Sequence, residues 1–249
     1  MLGIVQGITE WLPVSSEGVL TLVGLKFFGH NVTSSISMAV FLHLGTLAAA
    51  FYYFRKDVRS LFKGSCRMVL KFIVVATIIT GVVGAPLLLI QVKYADKIPV
   101  SLAVALIGIF LLATGLIQLG KSEKYFRSVF NARNGDAFFV GILQGFSALP
   151  GLSRSGLTVS GLLFKKFKNT EALKLSFIMS LPVVLGGGIL INLFGFCPDI
   201  NKVSIIALIV SFGVSLLTIK GLLKLSRKMN FGWFAMFFGI LTLVSLFFM

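Results

Sequence analysis

Two short polar stretches interrupt an otherwise apolar chain: QGITEWLPVSSEGVL at 6–20 and QGFSALPGLSRSGLT at 144–158. The first carries Glu10, Ser15 and Ser16; the second carries Ser153, Arg154 and Ser155. A carboxylate can act as a general base, or hold a divalent cation that bridges it to phosphate. Arginine offers a planar, permanently charged fork that matches phosphate oxygens. Each serine stands where a new half-helix would begin, so it either caps that helix or offers a hydroxyl to a ligand. Two helix N-termini would add free N–H groups and positive dipole ends, which suit an anion. Glu10 is the informative member, because a site that merely held phosphate would exclude a carboxylate. A structural glutamate paired with arginine is the plainer alternative. For Arg154 the plainer alternative is snorkelling to the cytoplasmic surface, since a charge at membrane depth costs roughly 2.5–3.5 kcal/mol. Glu17, one residue past the serines, reads as a first-turn acid that favours the helix N-terminus.

The elements that position these residues must be membrane helices. The 249 residues are 57% hydrophobic and 12% charged, with a mean hydropathy of +0.99, values outside the range of soluble domains. The net charge of +15 does not point to nucleic acid, because the basic residues punctuate apolar runs as loop charges do. Six runs are long enough to cross: about 36–54, 68–92, 99–120, 172–196, 202–222 and 231–249. The regions 1–28 and 136–165 are apolar but broken by Pro and Ser, and each reads as a re-entrant pair of half-helices. Such non-helical backbone at depth is tolerated only where it is buried in protein or lines a wet cavity. No cleavable signal peptide is expected at the start.

Placing the 55–71 loop in the cytoplasm and alternating from there leaves only Lys26, Lys93, Lys97 and Lys202 on the opposite face. Apart from Arg154 in the second break, every other basic residue is then cytoplasmic, as the positive-inside rule requires. GIVQG at 3–7 matches GILQG at 141–145, an offset of 138, and Gly18 pairs with Gly156 at the same offset. Pro13 and Pro150 match one residue out of step. The expected fold is therefore an all-α polytopic membrane protein forming one domain over 1–249. It would contain two inverted-topology repeats, about 1–120 and 136–249, each a re-entrant hairpin plus three transmembrane helices. Three crossings invert the second copy, so the two breaks can meet near the midplane.

Other residues carry weaker signals. His43 lies inside the first crossing, where a functional role and a hydrogen-bonded packing role weigh equally; His30 reads as a loop residue. The glycines of GVVG at 81–84 and GGG at 186–188 read as close helix contacts. Trp11 and Trp233 read as interface anchors. Cys66 and Cys197 fall in loops on opposite sides, so neither a disulfide nor a CxxC-type metal site is expected.

On GITEWLPVSSEG at 7–18, LPGLSRSG at 149–156 and FLHLGTLAAAFYYFRKDV at 41–58, the chain resembles the undecaprenyl-diphosphate phosphatases, the BacA-type bacitracin-resistance family. The resemblance implies hydrolysis of a C55 polyprenyl diphosphate to the monophosphate lipid carrier, aided by a divalent cation, Mg²⁺ or Ca²⁺. It places the family's second motif glutamate on Glu10, its nucleophilic serine on Ser16 and its phosphate-binding arginine on Arg154. Ser15, Gly151, Ser153 and Ser155 are taken beside them as phosphate-binding positions, with Gln6, Thr9 and His43 as supporting residues; Glu10 would bind the metal or serve as the base, and Ser16 would attack or orient water. Two positions depart from the family pattern: Gln6 stands for its first glutamate, and Val19 for the histidine after the serine–glycine stretch. A divergent branch, such as an archaeal one with a different carrier lipid, would fit. The expected partners are a polyprenyl diphosphate and membrane lipids, without nucleic acid, and a homodimer is left open. A transporter or flippase for a polyprenyl phosphate is the competing class, since inverted repeats serve it equally well.

Overall fold

The computed structural model describes residues 1–12, 15–63, 66–94, 97, 99–119, 127–149, 151–195, 200–225 and 232–248. Among these the secondary structure is helical apart from one isolated bridge, Arg127 to Phe167. Pro13, Pro150, Cys197, Lys121, Lys124, Arg227 and Lys228, used above for the repeat, the thiols and the charge count, lie outside the described residues.

Both broken regions are pairs of short helices. α1 (Leu2–Thr9) and α2 (Ser16–Phe28) form the first, α7 (Asn134–Phe146) and α8 (Arg154–Phe164) the second. α2 starts where Ser15, in extended conformation, accepts the Gly18 N–H at 3.1 Å. α8 starts in the same way at Ser153, which accepts the Gly156 N–H at 3.1 Å. Each cap satisfies a donor that the first helical turn leaves unpaired. α2 ends at Gly29, whose φ of 64° is the left-handed conformation that glycine adopts at a helix C-terminus.

Between and after these pairs run α3 (Val32–Tyr53), the short α4 (Arg55–Leu61), α5 (Arg67–Tyr94), α6 (Val100–Leu119), α9 (Asn169–Leu193), α10 (Lys202–Leu225) and α11 (Gly232–Val244). Among the described residues α3, α5, α6, α9 and α10 are long and apolar enough to cross a membrane. Large apolar side chains on their outer faces, such as Ile78, Val82, Ile189, Ile209 and Leu217, are exposed and find their solvent in lipid. The sixth expected crossing is shorter than its apolar run: α11 has 13 residues and passes into a 3-10 turn over Ser245–Phe248.

α1 packs along α10 and α7 along α5, while α3 meets α9 and α6 meets α11. The repeated glycine motifs make the first two contacts. A Cβ on Gly3 would overlap the Ala207 carbonyl of α10, and one on Gly7 would lie 2.7 Å from Val214 Cβ. A Cβ on Gly141 would lie 2.8 Å from the Ala76 carbonyl oxygen of α5, and one on Gly145 2.6 Å from Val83 Cβ. Removing Cβ is what lets these backbones approach. The glutamines of the same motifs are both buried: Gln6 donates to Glu10 at 3.0 Å, and Gln144 accepts from Thr80 at 3.4 Å.

Two expectations are corrected. Gly84 does pack closely, against Gly145, but Gly81 and Gly186 have nothing within 4 Å of a Cβ, and Gly187 and Gly188 meet only a leucine methyl at 3.7 Å. These four glycines instead line an apolar cavity of about 300 Å³ between α5 and α9. Trp11 is no interface anchor, for it is buried, with its ring edge-on to Phe177 at 5.0 Å. Only Trp233 is exposed.

On the α4 and α8 side, polar contacts tie the segment before α7 to the rest. Arg127 bonds Asp136 at 2.7 Å and the Lys165 carbonyl at 3.0 Å, and Glu171 accepts the Val129 N–H at 2.7 Å. Burial alone would raise the Asp136 pKa. The bonds from Arg127 and the Arg133 N–H outweigh it and hold the carboxyl below its ordinary value.

Candidate functional site

The two breaks meet. Ser15 Oγ accepts its own cap bond and also the Gly151 N–H at 2.9 Å, 136 residues away, while Ser155 Oγ donates to the Leu12 carbonyl at 2.9 Å. Gly151 has a φ of 99°, and a Cβ there would lie 2.7 Å from the Ile107 carbonyl oxygen of α6. Only glycine fits both the conformation and the space. Thus Ser15, Gly151 and Ser155, expected as phosphate ligands, spend much of their bonding capacity on joining the hairpins. The hydroxyl proton of Ser15 remains for a further acceptor.

Glu10 sits at the C-terminal end of α1, buried. Its Oε2 receives the Gln6 amide at 3.0 Å, the Ser16 hydroxyl at 2.7 Å and His43 Nε2 at 2.9 Å. Its Oε1 is bonded by Arg154 Nη2. Arg154 Nη1 is buried and has no hydrogen-bond partner among the described residues. His43 reaches the site from α3, with Nδ1 2.6 Å from the Ala39 carbonyl. A backbone carbonyl only accepts, so Nδ1 must carry a proton. If Glu10 is ionised, Nε2 must donate as well, and the ring is then an imidazolium. Thr9 turns away, its hydroxyl donating to the Val5 carbonyl at 2.7 Å.

The structure thus brings Gln6, Glu10, Ser16, His43 and Arg154 together in direct contact, and Ser15, Gly151, Ser153 and Ser155 around them. Glu10, Ser16, Glu17, His43, Ser153 and Arg154 line a small polar cleft of about 40 Å³. Glu17, His43 and Arg154 also border the 300 Å³ cavity, whose remaining wall is mostly apolar. Sequence reasoning left the role of His43 open and missed both its direct contact with Glu10 and the hydrogen bond of Gln91 on α5 to Glu17. For His43 the signal was an ionisable residue inside a span; for Gln91 it was an amide in the last turns of an apolar helix.

A divalent cation fits poorly at Glu10. Four donors already claim its two oxygens, and two of them belong to cationic or cation-forming side chains. Among the described residues no three His, Cys, Asp or Glu side chains form a cage. A cation here would rely on one or two carboxylates and on phosphate oxygens, the usual habit of Mg²⁺.

Residues 1–244 match the family described as bacitracin resistance protein BacA. The undecaprenyl-diphosphatase of Methanococcoides burtonii is 41% identical over 262 residues, covering 99% of this chain and 97% of its own. The undecaprenyl-diphosphatases of Saccharolobus solfataricus and Haloarcula marismortui are 35% and 36% identical, each over 98% of this chain and 93% and 95% of theirs. With matches along its length, both breaks included, this multi-pass membrane protein belongs to the BacA family.

Proposed function

We infer that the protein is an undecaprenyl-diphosphatase: a membrane phosphatase that hydrolyses the lipid diphosphate to the monophosphate carrier and phosphate. The observation that carries this reading is the Ser16–Glu10–Arg154 constellation at the junction of the two breaks. A carrier or flippase needs a phosphate clamp, but it does not need a hydroxyl donating to a buried carboxylate beside that clamp.

In this reading the terminal phosphoryl group enters the polar cleft. Arg154 offers its unpartnered Nη1 to the phosphate oxygens, and the N-termini of α2 and α8 add backbone dipoles. Glu10 takes the Ser16 proton as the hydroxyl attacks phosphorus, and the lipid monophosphate leaves. Glu10 passes that proton to His43, which has given its own to the leaving group, and, ionised again, takes a proton from the water that frees the enzyme and returns it to the Ser16 oxygen. His43 holds Glu10 in place and supplies a proton to the departing oxygen. It comes from α3, whereas the family's usual histidine position is Val19. Gln6, an amide in place of the family's first glutamate, donates to Glu10 and leaves it the cleft's base. Any Mg²⁺ or Ca²⁺ ion that accompanies the diphosphate therefore takes a ligand other than Glu10.

The isoprenoid tail would occupy the glycine-lined cavity between α5 and α9, next to the cleft. The inverted-repeat reading gains support from reciprocal packing, since α1 lies on α10 while its copy α7 lies on α5, the counterpart of α10. Glycines 138 positions apart make both contacts. The basic loops are assigned to the cytoplasm.

Purified protein in detergent should release phosphate from undecaprenyl diphosphate, and Arg154→Ala should abolish this while leaving the fold largely intact. Arg154→Lys should rescue only in part, because a point charge replaces a fork. A folded wild-type protein that binds the lipid without releasing phosphate would overturn the phosphatase reading in favour of a flippase.

A further inference from the structure

The polar cleft is too small for a whole diphosphate. A cavity of roughly 150 Å³ holds one benzene molecule. A cleft of about 40 Å³ therefore has room for a single phosphoryl group. The second phosphate, which joins the first to the lipid, must then lie at the neck where the cleft meets the apolar cavity. Among the described residues four border both spaces: Glu17, His43, Ser147 and Arg154.

Three of these are engaged elsewhere. Glu17 is a carboxyl group that accepts from Gln91 Nε2. Both His43 nitrogens have partners, in Glu10 and the Ala39 carbonyl. Arg154 is divided between Glu10 and, in the proposed reaction, the terminal phosphoryl group. Ser147 differs. It stands at the C-terminal end of α7, where its Oγ donates to the Gln144 carbonyl at 2.6 Å. The Ser147 N–H donates to that same carbonyl at 3.1 Å. The hydroxyl bond is thus redundant, and its proton can turn to another acceptor without leaving a bare carbonyl behind. The next residue adds to this. Ala148 lies 138 positions after Glu10 and borders the cavity. Where the first break places a carboxylate, the second places a methyl group, which does not repel a phosphate.

We propose that Ser147 binds the lipid-side phosphate at the neck, holding the group that stays on the carrier while the terminal phosphoryl group reacts in the cleft. The proposal rests on the phosphatase reading for its substrate, but not for its test.

Titration calorimetry on the full-length protein in detergent compares two probes without turnover. Methylenediphosphonate, a non-hydrolysable diphosphate, spans cleft and neck, whereas inorganic phosphate fills the cleft alone. Ser147→Ala should weaken methylenediphosphonate roughly 10–100-fold, the worth of a hydrogen bond to a charged group, and leave inorganic phosphate unchanged. The melting temperature should hold, because the Ser147 N–H still serves the Gln144 carbonyl. Ser147→Thr keeps the hydroxyl and should retain the wild-type affinity for both probes.

Wild-type methylenediphosphonate affinity in Ser147→Ala, an equal loss of inorganic phosphate, failure of a folded Ser147→Thr protein to retain binding, or no methylenediphosphonate binding by the wild type would each overturn the proposal. Phosphate release from undecaprenyl diphosphate by the same wild-type preparation is scored separately. A protein that binds methylenediphosphonate through Ser147 yet releases no phosphate would remove the phosphatase reading and leave this subsite standing. A phosphatase whose probe binding ignores Ser147→Ala would do the reverse.

Discussion

Replacing Glu10 with glutamine tests the centre of the site, because the structure defines what the change removes. The carboxylate has two acceptor oxygens serving four donors; an amide has one oxygen and an NH₂ group. With the amide oxygen in the Oε2 position, the bonds from Gln6, Ser16 and His43 survive, and the NH₂ group faces the Arg154 guanidinium. Breaking a buried ion pair from one side costs about 3–5 kcal/mol. The loss here should fall below that range, because His43 can shed its proton and Arg154 borders the cavity. A variant that folds with a modestly lower melting temperature is therefore expected. Arg154 is then freed from its carboxylate, so the diphosphate should bind as well as before or more tightly. Loss of the base should lower kcat by roughly 10²-fold or more. Phosphate release, a binding titration with a non-hydrolysable lipid diphosphate and a melting curve separate the three effects. Turnover at the wild-type rate would make Glu10 a structural counter-ion and refute the assignment.

Further outcomes follow from other contacts. His43→Gln keeps a side chain able to bond Glu10 but cannot protonate a leaving oxygen. It should lower kcat more than it changes KM, and remove the alkaline fall in the pH–rate profile that loss of the His43 proton causes; an unchanged profile would leave His43 a packing residue. Gly141→Leu should destabilise the fold by about 1–3 kcal/mol or more, because the added atoms meet α5 backbone and Ile79 Cβ, which cannot swing aside. Gly213→Ala, with open space around it, should leave the melting temperature unchanged or higher. Single cysteines at Ser60 and Lys93 should react with impermeant reagents from opposite sides; labelling of both from one side would remove the assigned topology.

The breaks were legible because they carry chemical punctuation: an apolar run too short to cross, then a serine that can cap. Ser15 and Ser153 do cap, with the same geometry 138 positions apart. The repeated GIVQG and GILQG were visible as a repeat, but their use as close contacts on α10 and α5 depends on which helices become neighbours. The misreading of GGG at 186–188 has the same root. Glycine marks either a place where two backbones touch or a place where side chains must be absent, and the local sequence is identical in both cases. Trp11 illustrates it again, for an aromatic at a helix end suits an interface until Phe177 covers it. The Glu10–His43 contact joins residues on two helices, and the Glu10–Arg154 contact spans 144 positions. Neither spacing encodes a distance.

What the two breaks do not share explains the design of the cleft. The first break holds the carboxylate and the hydroxyl; the second holds the guanidinium. Neither group would be stable alone in an apolar interior, where an unpaired charge is strongly disfavoured. Bringing the breaks together lets each charge satisfy the other, with Ser15–Gly151 and Ser155–Leu12 fixing the junction. The pairing also sets the order of events. While the cleft is empty, Arg154 occupies Oε1 and the carboxylate is shared among four donors, a poor base. In the proposed mechanism an arriving phosphate would compete with Glu10 for the guanidinium, and whatever hold it gained would be released from the carboxylate. Binding would then raise the basicity of Glu10 as the Ser16 proton leaves, so the ion pair that keeps the empty site stable would also be the means by which substrate switches it on.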